Sequence, residues 1–389
     1  MSTHTPTEFL KVATHTAEHF GFKTVEQLKK SYDCKQCTTS LPHTATNAPS
    51  LPIDATDQLL TAGLATFCEE RLHAITKPVL FYNTTNVPDT DETAVSFHIF
   101  NVSRSIGEAI LIQVTRSLAT DLGHADHVVR INSLGDADSL TRYSRELTTF
   151  LRKRLDTMPV EAREFMKLHP LHALAHLVET NHDLAYRSPN PLEYLSDPSR
   201  KHFREIVEYL DMSETPYEID PKMLGRHEYY SDALFTLDFP VSDVPSALSV
   251  RGGRFDEFAH RHTRTRTPVV GAVVVLKDSK APSRVPRPKN TPPAVYVVQL
   301  GFGPKIKSLL LIERLRQAGI PVMHNLASDS LSTQLREAEA EQVRYTVIIG
   351  QKEFVDGTVI LRDMNVRNQE FIPVDALIKK LKRSVAVAA

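Results

Sequence analysis

Apolar residues recur at helical spacing early in the chain, at Phe9, Leu10, Val12, Ala13, Ala17 and Phe20, and the pattern breaks at Gly21. This predicts a helix, and a second short one behind it, across 7–31. The polar stretch Thr38 to Ser50 reads as a loop. A second amphipathic helix is predicted over 54–74, opened by a cap at Asp54 or Thr56 and carrying Leu59, Leu60, Leu64, Phe67 and Leu72. Two strand-like runs follow, 79–82 and 95–102, around the acidic turn Pro88-Asp-Thr-Asp-Glu92.

A helix is predicted over 105–122 and a strand over 127–134, closed by Gly135. From 138 to 210 the pattern is almost wholly helical, with breaks near Pro170 and at Ser188-Pro-Asn-Pro191, so it looks like an insertion between strands. Strands resume at 217–219, 229–237, 247–251 and 269–276, which implies a mostly antiparallel sheet. Residues 278–294 are rich in proline and basic residues and lack an apolar period, which marks a semi-rigid linker. Beyond it the reading is strand (295–300), helix (305–318), strand (321–324), helix (331–341), strand (345–349), a hairpin through Gly357 and a last helix (374–383). Alternation at this spacing describes a small α/β domain. The expected organisation is a first domain over 1–277, a linker over 278–294 and a second domain over 295–389.

Composition changes this picture little. Lys plus Arg (46) nearly cancels Asp plus Glu (47), so nucleic-acid binding would need a local basic patch. The three cysteines, Cys34, Cys37 and Cys68, are too few for a disulfide framework and fit a reducing, cytoplasmic setting. Cys34-Lys-Gln-Cys37 has metal-knuckle spacing but no second pair to complete four ligands, so no metal is expected. With no apolar run of membrane length and no leader-like N-terminus, the chain is expected to be neither secreted nor membrane-spanning.

Several strings in this order resemble the histidyl-tRNA synthetase family, a class II aminoacyl-tRNA synthetase, over nearly the whole chain. Ile131-Asn-Ser-Leu-Gly135 is followed by Arg142-Tyr143, then by Leu168-His-Pro-Leu-His172 and Tyr217-Glu-Ile-Asp-Pro221. A histidine-specific motif is present in altered form as Met223-Leu-Gly-Arg-His-Glu-Tyr-Tyr230, and a second as Gly252-Gly253-Arg254-Phe255-Asp256. Val347-Ile-Ile-Gly350 and Gly357-Thr-Val-Ile-Leu-Arg-Asp363 resemble the family's anticodon-binding domain. The resemblance implies an α+β fold: a class II synthetase-like antiparallel sheet flanked by helices, with a helical insertion, followed by a C-terminal α/β anticodon-binding-like domain. His19-Phe-Gly-Phe-Lys-Thr-Val-Glu-Gln-Leu28 resembles the family's dimer-forming motif without its proline, and a homodimer is expected.

The resemblance also implies where catalysis has been lost. In the family, one arginine contacts the α-phosphate of ATP and another the γ-phosphate, a task suited to a planar, permanently charged fork. Here those positions fall at Asp89 and Asp278, and no arginine lies between Arg71 and Arg104. The arginine of the first histidine motif falls on Gly225, with Arg226 one place later and, in a strand, on the opposite face. Contacts to the amino acid fall at Ile99 and Ser103. A unit charge pair at about 4 Å is worth roughly 4 kcal/mol at an effective dielectric near 20. Binding ATP at millimolar to micromolar strength is worth only about 4 to 8 kcal/mol, so two charge inversions can abolish it. A remnant ligand pocket would comprise Asp54, Thr56, Glu228, Tyr229, Tyr230, Gly252, Gly253 and Arg254.

His169, His172 and His176 share a helical face but have no carboxylate beside them in the sequence, so they read as insertion surface or core. The densest basic string is Arg251, Arg254 and 260–266. In the second domain Lys305, Lys307, Arg314, Arg316 and Arg336 are candidates for contacting an RNA backbone. The leading reading is a paralogue that does not form histidyl-adenylate, needs no cofactor, and binds tRNA, another RNA or a protein partner. One alternative is an active, divergent histidine-tRNA ligase using Mg-ATP. Another is a regulatory subunit resembling that of ATP phosphoribosyltransferase, against which the second domain counts.

Overall fold

The computed structural model describes residues 5–31, 55–75, 77–87, 90–240, 248–277, 293–366 and 368–386. Asp54, Asp89, Asp278, Cys34, Cys37 and most of the expected linker lie outside them.

Helix α1 (Pro6–His19) is started by Thr5, whose hydroxyl and Glu8 form a capping box, and it ends before Gly21 as the apolar period does. Helix α2 (Val25–Ser31) and helix α3 (Ala55–Glu69) follow. Strands β1 (Val79–Asn86) and β2 (Thr93–Phe100) form the expected hairpin, and α4 (Ile106–Asp121) and β3 (Val128–Gly135) come next. The insertion is built from α5 (Ala137–Arg152), α6 (Val160–Leu168), α7 (Pro170–Glu179), α8 (Asp183–Tyr186) and α9 (Asp197–Met212). The chain returns to the sheet through β4 (Tyr217–Ile219), β5 (Ser231–Asp238), β6 (Leu248–Arg254), α10 (Asp256–Thr263) and β7 (Val269–Leu276).

These strands form one seven-stranded sheet in the order β1-β2-β7-β6-β5-β3-β4, antiparallel throughout except for the β3–β4 pair. Strands β2 and β7 are neighbouring interior strands and are buried at every position. Their two faces pack on different layers. Phe97, Ile99, Val270 and Ala272 point into a core shared with α1 and α4. Phe100 and Val269 point the other way, toward α3 and α10, where Phe67 stacks on Phe100 at 3.9 Å. Helix α3 packs on the sheet at Gly63, where a Cβ would fall 2.1 Å from the buried His98 ring.

The second unit contains β8 (Val295–Gln299), α11 (Phe302–Gln317), β9 (Val322–His324), α12 (Leu331–Ala340), β10 (Tyr345–Ile349), α13 (Gln351–Asp356), β11 (Thr358–Asp363), β12 (Gln369–Pro373) and α14 (Val374–Ala386). Its five-stranded sheet runs β12-β11-β10-β8-β9, with β8, β9 and β10 parallel. The hairpin joins β11 to β12, whereas Gly357 closes α13 in a left-handed conformation (φ 69°). The expected turn at Gly357 is therefore a helix end.

The two sheets share a core. One hydrophobic cluster runs from Phe9 and Leu111 to Leu309, Ile312 and Val347. Arg316 of α11 is ion-paired with Asp121 of α4, Ser117 donates to Glu313 at 2.8 Å, and Arg104 pairs with Asp329 at 2.6 Å. No helix among the described residues is long and apolar enough to cross a membrane.

Candidate functional site

The altered motif 223–230 does not form a strand. It is a looped segment between β4 and β5, turned at 227–229. The reason is local: Gly225 sits at φ +55°, and a Cβ there would lie 2.8 Å from the Tyr230 ring. The strand argument that would put Arg226 on the far face from the pocket is thereby overturned. Arg226 instead faces Asp57 in the first turn of α3, with Nε 3.7 Å from the carboxylate. Arg251 approaches the same carboxylate at 3.9 Å, and the Tyr230 hydroxyl donates to it at 3.1 Å. Asp57 is buried and collects three polar groups, of which Tyr230 is buried with it while Arg226 and Arg251 reach it from partly exposed positions.

Tyr229, Tyr230, Asp57, Leu60, Thr61 and Phe255 line a small, partly open cleft of about 10 Å³. That is about the space of one water molecule. Thr56 is half-buried beside Asp57. Ile99 is fully buried in the core against α4, and Ser103 is exposed.

Three other expected pocket residues are used structurally. Arg254 is buried, and its guanidinium donates to both oxygens of Glu108 at 2.7 and 2.8 Å and to the carbonyl of Val102 at 3.0 Å. Asp256 completes its neutralisation at 3.3 Å, and His202 meets Glu108 at 2.8 Å from α9. Burial alone would raise the Glu108 carboxyl, but Arg254 and His202 outweigh it and hold it down at about 2. Arg254 therefore locks β6 to α4 and leaves the pocket, which corrects the sequence expectation. Gly252 and Gly253 are backbone of the same strand: a Cβ at Gly253 would lie 2.8 Å from the Ala233 carbonyl oxygen.

Glu228 also turns away from the cavity. Its carboxylate accepts from His172 Nε2 of α7 and lies 3.3 Å from His227 Nδ1. The His169 ring stacks on His227 at 3.9 Å with an interplanar angle of 16°. Burial lowers His227 to about 3 and also lowers His169. Burial would raise Glu228, but His227, its own backbone amide and His172 hold it below the usual carboxylate range. The ground for treating these histidines as plain insertion surface, the lack of a carboxylate, is removed. The sequence signal was available: His227 and Glu228 are adjacent in the altered motif, but only the fold brings α7 to them.

The basic candidates of the second unit separate into two groups. Lys305 is buried and paired with Asp329 at 2.7 Å, and Arg316 is buried between Asp121 and Glu313. Neither presents its charge to a phosphate backbone, which corrects the expectation for both. Lys307 is half-buried over the Phe354 ring and donates to the Glu353 and Phe354 carbonyls. Arg314 and Arg336 are exposed, with Arg314 paired to Asp375 at 2.9 Å.

A family described as "Anticodon binding domain" matches residues 295–384. The chain is 28% identical over 258 residues to the histidine-tRNA ligase of Listeria innocua, covering 64% of this chain and 60% of that protein. It is 28% identical to the histidine-tRNA ligase of Thermosipho melanesiensis over 296 residues, 72% of this chain and 68% of that one. The chain thus spans about 60% of the length of the Listeria relative. Among solved structures, apo histidyl-tRNA synthetase of S. aureus overlays with a TM-score of 0.45 at 16% identity, covering 82% of this chain and 81% of that one.

Proposed function

The chain belongs to the histidyl-tRNA synthetase family, and from that premise we propose that it is a non-adenylating paralogue whose second domain binds tRNA. The observation that carries this reading is the state of the remnant pocket. Arg226 and Arg251 are turned onto the buried Asp57, beside a cleft lined by Tyr229, Tyr230 and Leu60. Turning either arginine to a nucleotide would take it from Asp57, a carboxylate that is itself buried and costly to leave uncompensated.

The sequence supports the same reading independently. Asp89, Gly225 and Asp278 stand where the family resemblance places cationic side chains for ATP and histidine, and Ile99 is an apolar core residue where a polar contact would be needed. Such sites work as units, so partial losses are not additive.

The test is ATP–pyrophosphate exchange in the presence of histidine, using the full chain. Exchange at background level is the expected result. Turnover above background would establish the ligase alternative. Restoring arginines at Asp89 and Asp278 together is expected to leave exchange at background, because neither substitution rebuilds the contact at Ile99.

A further inference from the structure

We propose that His172, His227 and Glu228 form a binding site for one divalent first-row metal ion of the zinc class, with a fourth coordination position open to water or a small donor. This inference does not depend on whether the chain adenylates histidine. One ligand atom from each of the three residues lies within 4.8 Å of the other two. Two ligands each about 2 Å from a tetrahedral ion stand about 3.3 Å apart, the separation His227 Nδ1 already has from Glu228 (3.3 Å). His172 Nε2 contacts the other carboxylate oxygen. Two imidazole nitrogens and one carboxylate are the donor set that suits zinc and its neighbours, and one that magnesium, which prefers oxygen, does not favour.

The ligands are held from two directions. His172 lies in the first turn of α7, in the insertion, whereas His227 and Glu228 lie in the loop that precedes β5. The His169 ring stacks on His227 and its Nδ1 accepts from the Leu171 amide at 3.3 Å, which orients the neighbouring ring, while the ligand atoms that converge are those of His172, His227 and Glu228. The three side chains are 16%, 13% and 22% exposed, which leaves a path for an ion and room for an exogenous donor. Arg261 opposes the site electrostatically, but its contact is to the Glu228 carbonyl and its own environment is exposed. A bound ion would tie the insertion to the sheet at the place where the family motif is altered.

The test uses the full chain carrying Cys34→Ser and Cys37→Ser, which removes the other pair with ligand spacing, after stripping with a chelator. Zinc chloride and magnesium chloride are titrated separately by calorimetry, and cobalt(II) is added to read coordination from its visible absorption. The expected result is one equivalent of zinc, no magnesium binding, a cobalt spectrum of four-coordinate type, and a melting temperature raised by zinc. His227→Ala and Glu228→Gln should each abolish the one-to-one binding, and His176→Ala should leave it intact. Circular dichroism of the metal-free variants reports folding, and His172→Asn gives the same readout if His227→Ala does not fold. No zinc binding, several weak equivalents, or binding unchanged in both His227→Ala and Glu228→Gln would overturn the site.

Discussion

At the scale of single residues, the largest stake is the buried pair Arg254–Glu108. Both side chains are 1% exposed, and the pair is completed by Asp256 and His202. Removing one member strands the other charge away from water, which costs about 3 to 5 kcal/mol. Glu108→Gln should therefore lower the unfolding free energy at neutral pH by an amount of that order, read as a lower urea midpoint with the slope unchanged. A loss below about 1 kcal/mol would mean that Asp256 alone neutralises Arg254. The sequence marked Arg254 through the Gly-Gly-Arg string but could not say which way it points. Its partner Glu108 is 146 positions away on α4. Asp57 was missed for the same reason, since nothing near it in the chain announces Arg226, Arg251 or Tyr230.

At the scale of elements, the contact of α3 with the interior strands rests on a glycine. A Cβ at Gly63 would fall 2.1 to 2.5 Å from three atoms of the His98 ring, which is itself fully buried with one nitrogen 3.0 Å from Ser96. Overpacking of this kind costs about 1 to 3 kcal/mol or more. Gly63→Ala should lower the melting temperature, and adding His98→Ala should recover part of the loss because the two changes share one contact. An additive pair would show that the helix relaxes elsewhere. Burial also lowers His98 to about 3, His19 to about 3 and His324 to about 4. Each is neutral when folded and takes up a proton near its ordinary value of about 6.5 when unfolded. Stability from these groups is thus complete above about pH 6.5 and falls as pH drops toward 4, by up to about 1.4 kcal/mol per unit for each group. Equilibrium unfolding measured at several pH values checks this, and a flat profile between 6.5 and 4 would contradict their burial.

The presence and order of the elements were the most legible part of the sequence, and their ends less so. Strand β1 runs to Asn86 where a strand over 79–82 is expected, and α3 stops at Glu69 within the expected 54–74. The helices of the insertion, the β1–β2 hairpin and the alternation after residue 295 follow directly from apolar period and punctuation. The failures were at Met223–Tyr230, read partly as strand, and at Gly357, read as a turn. In both places a glycine with positive φ redirects the backbone, and a hydrophobic pattern carries no information on φ.

At the scale of the molecule, the sequence separated two units but did not reveal how firmly they join. Proline-rich chain between them suggested few crossing contacts, whereas α11 packs on α4 through Arg316, Asp121, Glu313 and a continuous apolar cluster. That interface uses up Arg316, and Asp329 of the same unit takes Lys305, so two of the five basic side chains that the sequence offered for RNA are already paired and buried. What remains for a phosphate backbone is Arg314, Arg336 and the half-buried Lys307. The Arg314–Asp375 pair, whose side chains are 43% and 90% exposed, contributes little and can exchange Asp375 for phosphate. Affinity for single-stranded RNA falls with salt in proportion to the phosphates neutralised, with a slope near −0.7 for each. Two or three contacts therefore predict a slope of about −2 in a plot of log affinity against log salt. The measurement is a titration of the full chain with a histidine tRNA and an unrelated tRNA at several salt concentrations, repeated with Arg336→Glu. Binding with a shallow slope, weakened by that substitution, supports the second domain as the contact surface. A slope steeper than about −5, unaffected by Arg336→Glu, would move the contact to another basic stretch such as Arg261 to Arg266 on the first unit. Absence of binding to either RNA would instead turn the partner of this domain toward protein.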